Sequence, residues 1–231
     1  MFDHRSNILL AKLPTADLSR LVPHLEPLDL PLRYRIEERG KPIDYVYFPV
    51  SGIVSVVAKG VKGQEIEVGL IGFEGMTGAA MAMGKSVASH TVYMQVAGAG
   101  FRMPAETFTS ALDESQALNQ TVLRYMHLLF VQTTQTALCN GHCTVPERLA
   151  RWLLMAQDRV KSNELPLTHE FLSIMLGVRR AGVTSAVRVL TEGGHIEPGR
   201  GTITVRNREG LVRASNGAYV FGEEMDMADQ S

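Results

Sequence analysis

The sequence has 231 residues, of which 45% are hydrophobic and 20% are charged, and its formal net charge is −1. This composition is typical of globular proteins and excludes a chain that is disordered throughout. No apolar run reaches the roughly 18 residues that a membrane span requires, and residues 1–14 lack the order of a signal peptide. A cytoplasmic protein without membrane contact is therefore expected. Two cysteines, Cys139 and Cys143, are too few for a disulfide framework, and neither a metal site nor a cofactor is predicted.

Residues 28–103 carry short β-type runs separated by glycines. The runs are YVYFPV (45–50), IVSVVA (53–58), EIEVGLI (65–71) and TVYMQV (91–96). Several short strands with frequent turn signals and no helix between them indicate an antiparallel sandwich or barrel. After a short helical opening, they predict a β-roll domain over 1–115 in a protein of the α+β class.

A long helix is predicted over 116–140, where the positions of one face step alternately by four and three. Such a seam is typical of a helix that packs on a partner helix, including its own copy in a dimer. Packing against the β-roll is the alternative. The dimer contacts predicted from the seam are Leu118, Val122, Tyr125, Leu129, Gln132 and Thr136.

The helix is expected to break at Asn140-Gly141, because Pro146 follows closely, and a hinge is predicted over 141–145. The charge then changes character. Residues 148–213 hold eleven cations against six anions, about +5, whereas the acidic tail over 214–231 holds four anions and no cation. A locally basic segment is what contact with phosphates requires.

Residues 146–213 have the element order of a winged helix-turn-helix domain. The runs LTHEFLSIML (167–176) and RRAGVTSAVRVL (179–190) are helical, and Gly177 between them is expected at positive φ. Thr168 is expected to cap the first helix. The segment HIEPGRGTITVRN (195–207) predicts a hairpin with a tight basic tip. The side chains expected to face the core are Phe171, Leu172, Met175, Val183, Val187 and Leu190.

The outward face of the second helix is predicted to read DNA bases through Arg180, Thr184, Ser185 and Arg188. The first turns of a recognition helix enter the major groove, and an arginine can donate two hydrogen bonds to guanine. Arg180 is therefore the favoured base contact. A helical hairpin with a solvated polar face is the alternative. The predicted phosphate contacts are Thr168, His169, Arg179 and Arg200.

In the order and spacing of these segments, the chain resembles the Crp/Fnr family of bacterial transcription regulators. The most specific match is LTHEFLSIMLGVRRAGVTSAVRVLTEGGHI (167–196) followed by GRGTITV (199–205). The resemblance implies a regulator rather than an enzyme. Such a regulator is a homodimer that binds double-stranded DNA at a palindromic promoter site, beside RNA polymerase. It also implies a cyclic-nucleotide-binding-like jelly roll that senses a signal, here an unknown small-molecule effector.

The resemblance places the family's arginine base contact on Arg180. The next family position, often glutamate, is Ala181 here, and a later basic base contact falls on Ser185. The usual serine at the head of the recognition helix is Arg179, which suits a phosphate contact. The half-site of this chain is therefore expected to differ from the family's usual one.

The β-roll resembles the family less closely than the helix-turn-helix segment does. Members that bind cyclic nucleotides place Gly-Glu on one side of a short loop and Arg-Ser on the other. Here the first element resembles Gly72-Phe73-Glu74-Gly75, and the second falls on Ala88-Ser89, so the arginine is missing. Lys85 is the nearest cation but offers no bidentate geometry to a phosphate. The candidate effector pocket is Glu74, Lys85 and Ser89, and a cyclic nucleotide is disfavoured.

A protein of another class is the alternative to the regulator. It is a small-molecule-binding or cupin-like β-roll whose C-terminal helices mediate protein contacts only. The His-x-His pattern and trailing glutamate of metal-dependent cupins are absent from the sequence. The basic bias and the hairpin behind the second helix favour the DNA-binding regulator.

Overall fold

The structure is a computed structural model that describes residues 3–219. The chain folds as two compact units. The first comprises residues up to Val57 together with Leu70–Phe130, and the second comprises Ala58–Gly69 together with residues from Val131 onward. None of the helices within 3–219 combines the length and the apolar character that crossing a bilayer demands.

The first unit is the predicted β-roll, and the four runs predicted as strands are all strands. Two short helices precede it and two helices follow it. The elements are α1 Ile8–Ala11, α2 Thr15–Leu21, β1 Glu26–Leu30, β2 Arg35–Glu37, β3 Tyr45–Pro49, β4 Ile53–Lys59, β5 Glu65–Ile71, β6 Thr91–Val96, β7 Gly98–Pro104, α3 Ala105–Glu114 and α4 Gln116–His142.

Two antiparallel sheets form the roll, one in the order β1-β7-β3 and the other in the order β2-β6-β4-β5. Leu30, Phe48 and Met103 are fully buried within it. Strand β7 pairs with both β1 and β3. The sequence pattern did not predict this strand, because it contains two glycines. The glycines are needed because a Cβ on Gly98 would lie 2.1 Å from the carbonyl oxygen of Ser51.

For Leu118, Val122 and Tyr125, the predicted dimer seam on α4 is wrong. Leu118, Val122 and Tyr125 are 1%, 0% and 7% exposed in the isolated chain, within the core of the first unit, and Leu129 packs against that core. Further along, Arg151 donates to the Gln132 carbonyl at 3.5 Å and to Thr136 Oγ1 at 3.3 Å. The first three positions therefore pack within the first unit, which was the alternative, because a four-three spacing serves an apolar sheet and a partner helix equally well. A dimer role for the later positions stays a prediction.

The predicted helix break at Asn140-Gly141 is also misplaced, because α4 continues to His142. Glycine inside a helix costs only about 1 kcal/mol, which neighbouring turns can offset. The break comes instead at Thr144, the N-cap of the next helix, whose backbone N–H donates to the Glu147 carboxylate at 2.7 Å. Pro146 lies in the first turn of that helix, where a proline is tolerated.

Residues 145–214 form the predicted winged helix-turn-helix, which we call the reader. Its three-stranded sheet has the order β8-β10-β9. Strand β8 and helix α8 were not predicted. The elements are α5 Val145–Val160, β8 Glu164–Leu165, α6 His169–Leu176, α7 Arg180–Glu192, β9 Ile196–Pro198, β10 Ile203–Val205 and α8 Arg208–Ala214.

Candidate nucleic-acid interface

Helix α6 begins and ends as the sequence predicts. The Thr168 side chain accepts a hydrogen bond from the Phe171 N–H at 3.3 Å, which caps the first turn. At the other end Gly177 adopts φ 60°, a left-handed conformation that glycine reaches at no steric cost. The Gly177 N–H donates to the Ile174 carbonyl at 3.2 Å, and the Val178 N–H donates to the Ser173 carbonyl at 3.1 Å. These two bonds close the helix, and the chain then turns into α7.

Helix α7 has two distinct faces, as the helical wheel indicates. Val183, Val187 and Leu190 are 0%, 6% and 2% exposed, and they pack inward. The opposite face is exposed to solvent. It carries all four side chains predicted to read bases: Arg180, Thr184, Ser185 and Arg188.

The two arginines of this face have only weak partners among the described side chains. Arg180 lies 4.0 Å from the Glu170 carboxylate, and Arg188 lies 3.8 Å from the Glu192 carboxylate. Both arginine side chains are more than 70% exposed. Exposed ion pairs of this kind are worth about 0–1 kcal/mol, so either guanidinium can exchange its carboxylate for a base edge or a phosphate. Glu170 was missed by the sequence reasoning, because it belongs to α6.

The four predicted phosphate contacts are also exposed. Thr168 and His169 lie at the start of α6, where helix N–H groups favour an anion. Arg179 is the N-cap of α7, and Arg200 lies in the turn between β9 and β10. All four positions are therefore accessible to a ligand on the surface of the reader.

Several side chains that the sequence did not single out hold the reader together. Arg148 on α5 donates to the Leu176 carbonyl at the end of α6. Arg208 on α8 donates to Asp158 Oδ1 at 2.7 Å and to the Tyr219 hydroxyl at 2.8 Å. Burial and the hydrogen bond to Asp158 raise the pKa of Tyr219 to about 12. Asn216 Nδ2 donates to Glu147 Oε1 at 2.9 Å, which joins the end of the reader to its beginning.

In the first unit, the glycine-rich segment 72–78, which we call the sensor loop, is bonded to its own chain. Glu74 Oε1 accepts from the Gly72 N–H at 3.1 Å, and Asn7 Nδ2 donates to the Gly75 carbonyl at 2.8 Å. Tyr125 donates to the Met76 carbonyl at 2.9 Å, and a Cβ on Gly75 would lie 2.3 Å from its ring. Lys85 and Ser89 are exposed. Tyr125 was missed here, because its spacing assigned it to the dimer seam.

Two family models match the chain, in the same order as the two predicted domains. A cyclic nucleotide-binding domain matches residues 34–115, and a Crp-like helix-turn-helix domain matches residues 147–214. The chain belongs to the Crp/Fnr family. The family match makes this protein a DNA-binding transcription regulator with an effector-binding type of domain.

This Crp/Fnr regulator is similar over most of its length to characterised proteins. A CRP-like cAMP-activated global transcriptional regulator of Mycobacterium tuberculosis is 23% identical over 218 residues, covering 90% of this chain and 96% of that protein. The structure of FixK2 from Bradyrhizobium japonicum is 17% identical with a TM-score of 0.71, covering 82% of this chain and 96% of that one. The c-di-GMP responsive global regulator CLP of Xanthomonas campestris is 16% identical with a TM-score of 0.68, covering 83% and 99%.

Proposed function

We propose that this regulator binds a palindromic promoter site as a homodimer in the cytoplasm and alters transcription by RNA polymerase there. One observation carries the DNA-binding part. The outward face of α7 presents Arg180, Thr184, Ser185 and Arg188 to solvent, while the opposite face anchors the helix in the core. A recognition helix needs this combination of a fixed inner face and an available outer one.

Arg180 is proposed to read a guanine with two hydrogen bonds, because it lies in the first turn of α7. Thr184, Ser185 and Arg188 follow along the same face. Thr168, His169, Arg179 and Arg200 are proposed to contact phosphates and to fix the helix in the groove. Ala181 cannot hydrogen-bond a base, so the half-site differs at the position that a glutamate reads in other members.

The dimer is proposed to form through an exposed apolar stripe on α4 rather than through the seam. The stripe consists of Leu123, Phe130 and Leu138, which are 47%, 66% and 54% exposed. At 100° per residue these three lie within about 80° of one another. A second copy of the same helix, related by a two-fold axis, would cover the stripe and place two readers on one palindrome.

The effector is proposed to act at the sensor loop and its surroundings, with Glu74, Lys85 and Ser89 as candidate contacts. Segment 72–90 contains no arginine, so a phosphate there would lack the bidentate partner that binds it best. The proposed effector is therefore a small molecule other than a cyclic nucleotide, and its binding shifts the population between two states of the protein.

Selection of bound sequences from random duplex DNA, at two salt concentrations, tests this function. We expect enrichment of a palindrome, and an affinity for it that falls steeply as salt rises, because phosphate contacts release counterions. The alternative, a β-roll protein whose C-terminal helices bind only proteins, would show no enrichment and no salt-dependent binding. An enriched single half-site would overturn the dimer alone.

A further inference from the structure

A cavity of about 150 Å³ lies in the first unit, between α2 with the single turn that follows it and α3 with the start of α4. An apolar cavity of similar volume accepts benzene, so this one suits a molecule of about six to nine non-hydrogen atoms. The cavity is therefore large enough for a small metabolite and too small for a nucleotide.

The wall that α2 contributes carries charges of both signs. Asp17, Arg20, Leu21 and His24 line the cavity. They stand at positions i, i+3, i+4 and i+7, so they share one face of the helix and of the turn Val22–His24. Leu21 is 3% exposed, whereas Arg20 is exposed to solvent. This wall therefore places a guanidinium and a carboxylate above an apolar residue.

The opposite wall has the same spacing on α3. Thr107, Ser110, Ala111 and Glu114 line the cavity at positions i, i+3, i+4 and i+7 of that helix. Glu114 is exposed, and Leu118 below it is 1% exposed. The second wall therefore adds another carboxylate and two hydroxyl groups to an apolar floor.

A hydrogen bond between the two walls holds the cavity open in its present shape. Ser115 Oγ donates to Asp17 Oδ1 at 2.5 Å, although the two residues are 98 positions apart. The same Oγ accepts from the Leu118 N–H at 3.0 Å, and Ser115 is 8% exposed. The bond joins α2 to the junction of α3 and α4. The cavity is thus formed before any ligand enters, as most small-molecule sites are.

Two opposite charges of this cavity have no partner. Neither the Arg20 nor the Glu114 side chain forms an ion pair or a hydrogen bond within the described part of the chain. Exposed charges elsewhere in the first unit do pair, as Arg102 does with Glu26 at 2.8 Å. A ligand that carries both charges would satisfy the two groups at once. Its carboxylate could accept two hydrogen bonds from the guanidinium, the strongest geometry for such a pair.

We propose that this cavity binds a small zwitterion of the amino-acid class. The ligand's carboxylate pairs with Arg20, and its ammonium group lies between Glu114 and Oδ2 of Asp17, the oxygen that Ser115 leaves available. Leu21 and Leu118 contact its carbon atoms. The site is separate from the sensor loop, and the inference does not depend on the proposed DNA binding.

The test measures binding to the full chain by calorimetry, with L-alanine, β-alanine and γ-aminobutyrate as probes. These three molecules carry the same two charges at increasing separation, so the tightest of them reports the spacing that the cavity fits. The N-acetyl form and the methyl ester of that probe each lack one charge. We expect both derivatives to bind about tenfold more weakly than the probe, the value of one hydrogen bond to a charged group.

Variants locate the site. Arg20→Gln and Glu114→Gln should each weaken binding about tenfold for the same reason. Ala111→Leu enlarges a side chain that lines the cavity and should abolish binding. Glu106→Gln is the matched control, because it makes the same change at an exposed position of α3 outside the cavity lining, and it should bind as wild type does. Thermal melting confirms that each variant still unfolds cooperatively.

Three outcomes overturn the proposal. The first is binding of none of the three probes at millimolar concentration. The second is equal affinity of wild type, Arg20→Gln and Glu114→Gln, or of the probe and either derivative. The third is loss of binding in Glu74→Gln but not in Arg20→Gln, which would place the probe at the sensor loop. Selection of DNA sequences is a separate measurement, so none of these outcomes bears on the proposed function.

Discussion

The reader and the sensor loop use their polar groups in opposite ways. In the reader, Arg180 and Arg188 face solvent, and among the side chains of residues 3–219 they form only long, exposed ion pairs with Glu170 and Glu192. In the sensor loop, Asn7, Glu74 and Tyr125 make hydrogen bonds to loop backbone groups. A DNA ligand therefore replaces weak contacts, whereas a ligand at the sensor loop must replace hydrogen bonds that the chain already makes. For this reason the function of the reader is visible in the sequence, whereas the effector is not.

Asn7→Ala tests how strongly the sensor loop depends on hydrogen bonds from its own chain. Asn7 is fully buried, and its Nδ2 donates to the carbonyls of Pro49 and Gly75, both at 2.8 Å. Two buried carbonyls left without a donor should lower the free energy of unfolding by about 4 kcal/mol. Urea unfolding measures the loss. Asn140→Ala, at an exposed position on α4, is the control and should change little. A loss below about 1 kcal/mol for Asn7→Ala would mean that the loop does not depend on this residue.

Phe130→Ser tests the element that would bring two readers together. Each copy should lose the burial of one aromatic side chain, about 1.5–3 kcal/mol. Because a two-fold interface contains Phe130 from both copies, the loss in dimerisation free energy is doubled. The dimer dissociation constant should rise on the order of a hundredfold, as sedimentation over a concentration series would show. Met83→Ser is the control, because Met83 is 60% exposed and belongs to the segment between β5 and β6 rather than to α4. An unchanged dissociation constant would exclude Phe130 from the interface.

Arg180→Ala tests the base contact proposed for the reader. Loss of one bidentate base contact should cost about 1–3 kcal/mol on the selected palindrome and relax discrimination at one base pair. Competition binding with every single-base variant of the site measures both effects. Arg213→Ala, on the exposed side of α8, is the control and should preserve discrimination. If Arg180→Ala instead weakens all sequences equally, Arg180 contacts a phosphate.

Gly182→Ala separates the stability of α7 from its contact with DNA. A Cβ at this position would lie 3.4 Å from Val178 Cγ2, an ordinary contact, and no positive φ is required. Alanine should therefore stabilise the folded protein by up to about 1 kcal/mol. Thermal melting checks the gain. Weaker DNA binding by this more stable variant would show that Gly182 permits a close approach of the duplex, while unchanged binding would leave the glycine without a role in recognition.

The smallest expected effect concerns Glu37, which holds the end of the sensor loop. Its Oε1 accepts from the Gly78 N–H at 2.7 Å, and burial raises the pKa of this carboxyl despite that bond. A raised pKa means that the folded state favours the protonated form. Its stability contribution is present at low pH and is lost as the pH rises through the raised value. Glu37→Gln should thus be slightly more stable than wild type at pH 7 and equal to it at pH 4, by thermal melting. A gain that does not vary with pH would assign the effect to packing.

Local patterns predicted the reader well because its signals are close together in the chain. The Thr168 cap, the positive φ of Gly177 and the inward face of α7 each depend on residues within one or two helical turns. The same reasoning failed on α4, since the seam through Tyr125 fits a partner helix and an apolar sheet equally well. Burial in the first unit decides between them.

Other features lay outside what a sequence pattern can carry. The Trp152 Nε1–H donates to Glu67 Oε1 at 2.6 Å, yet the two residues are 85 positions apart and no sequence motif contains both. Strand β7 is hidden by Gly98 and Gly100, which are present because neighbouring backbone leaves no room for a side chain. The candidate effector contacts Lys85 and Ser89 remain predictions, since both lie on an exposed loop.

The bond between Asn216 and Glu147 has a consequence for engineering. Glu147 also accepts from the Thr144 N–H, so the point where the chain enters the reader and the point where it leaves are held side by side. A domain whose ends meet can be inserted into a host loop or circularly permuted with little strain. The reader is therefore suited to transplantation onto an unrelated dimeric scaffold, where its preferred half-site could be measured apart from any signal.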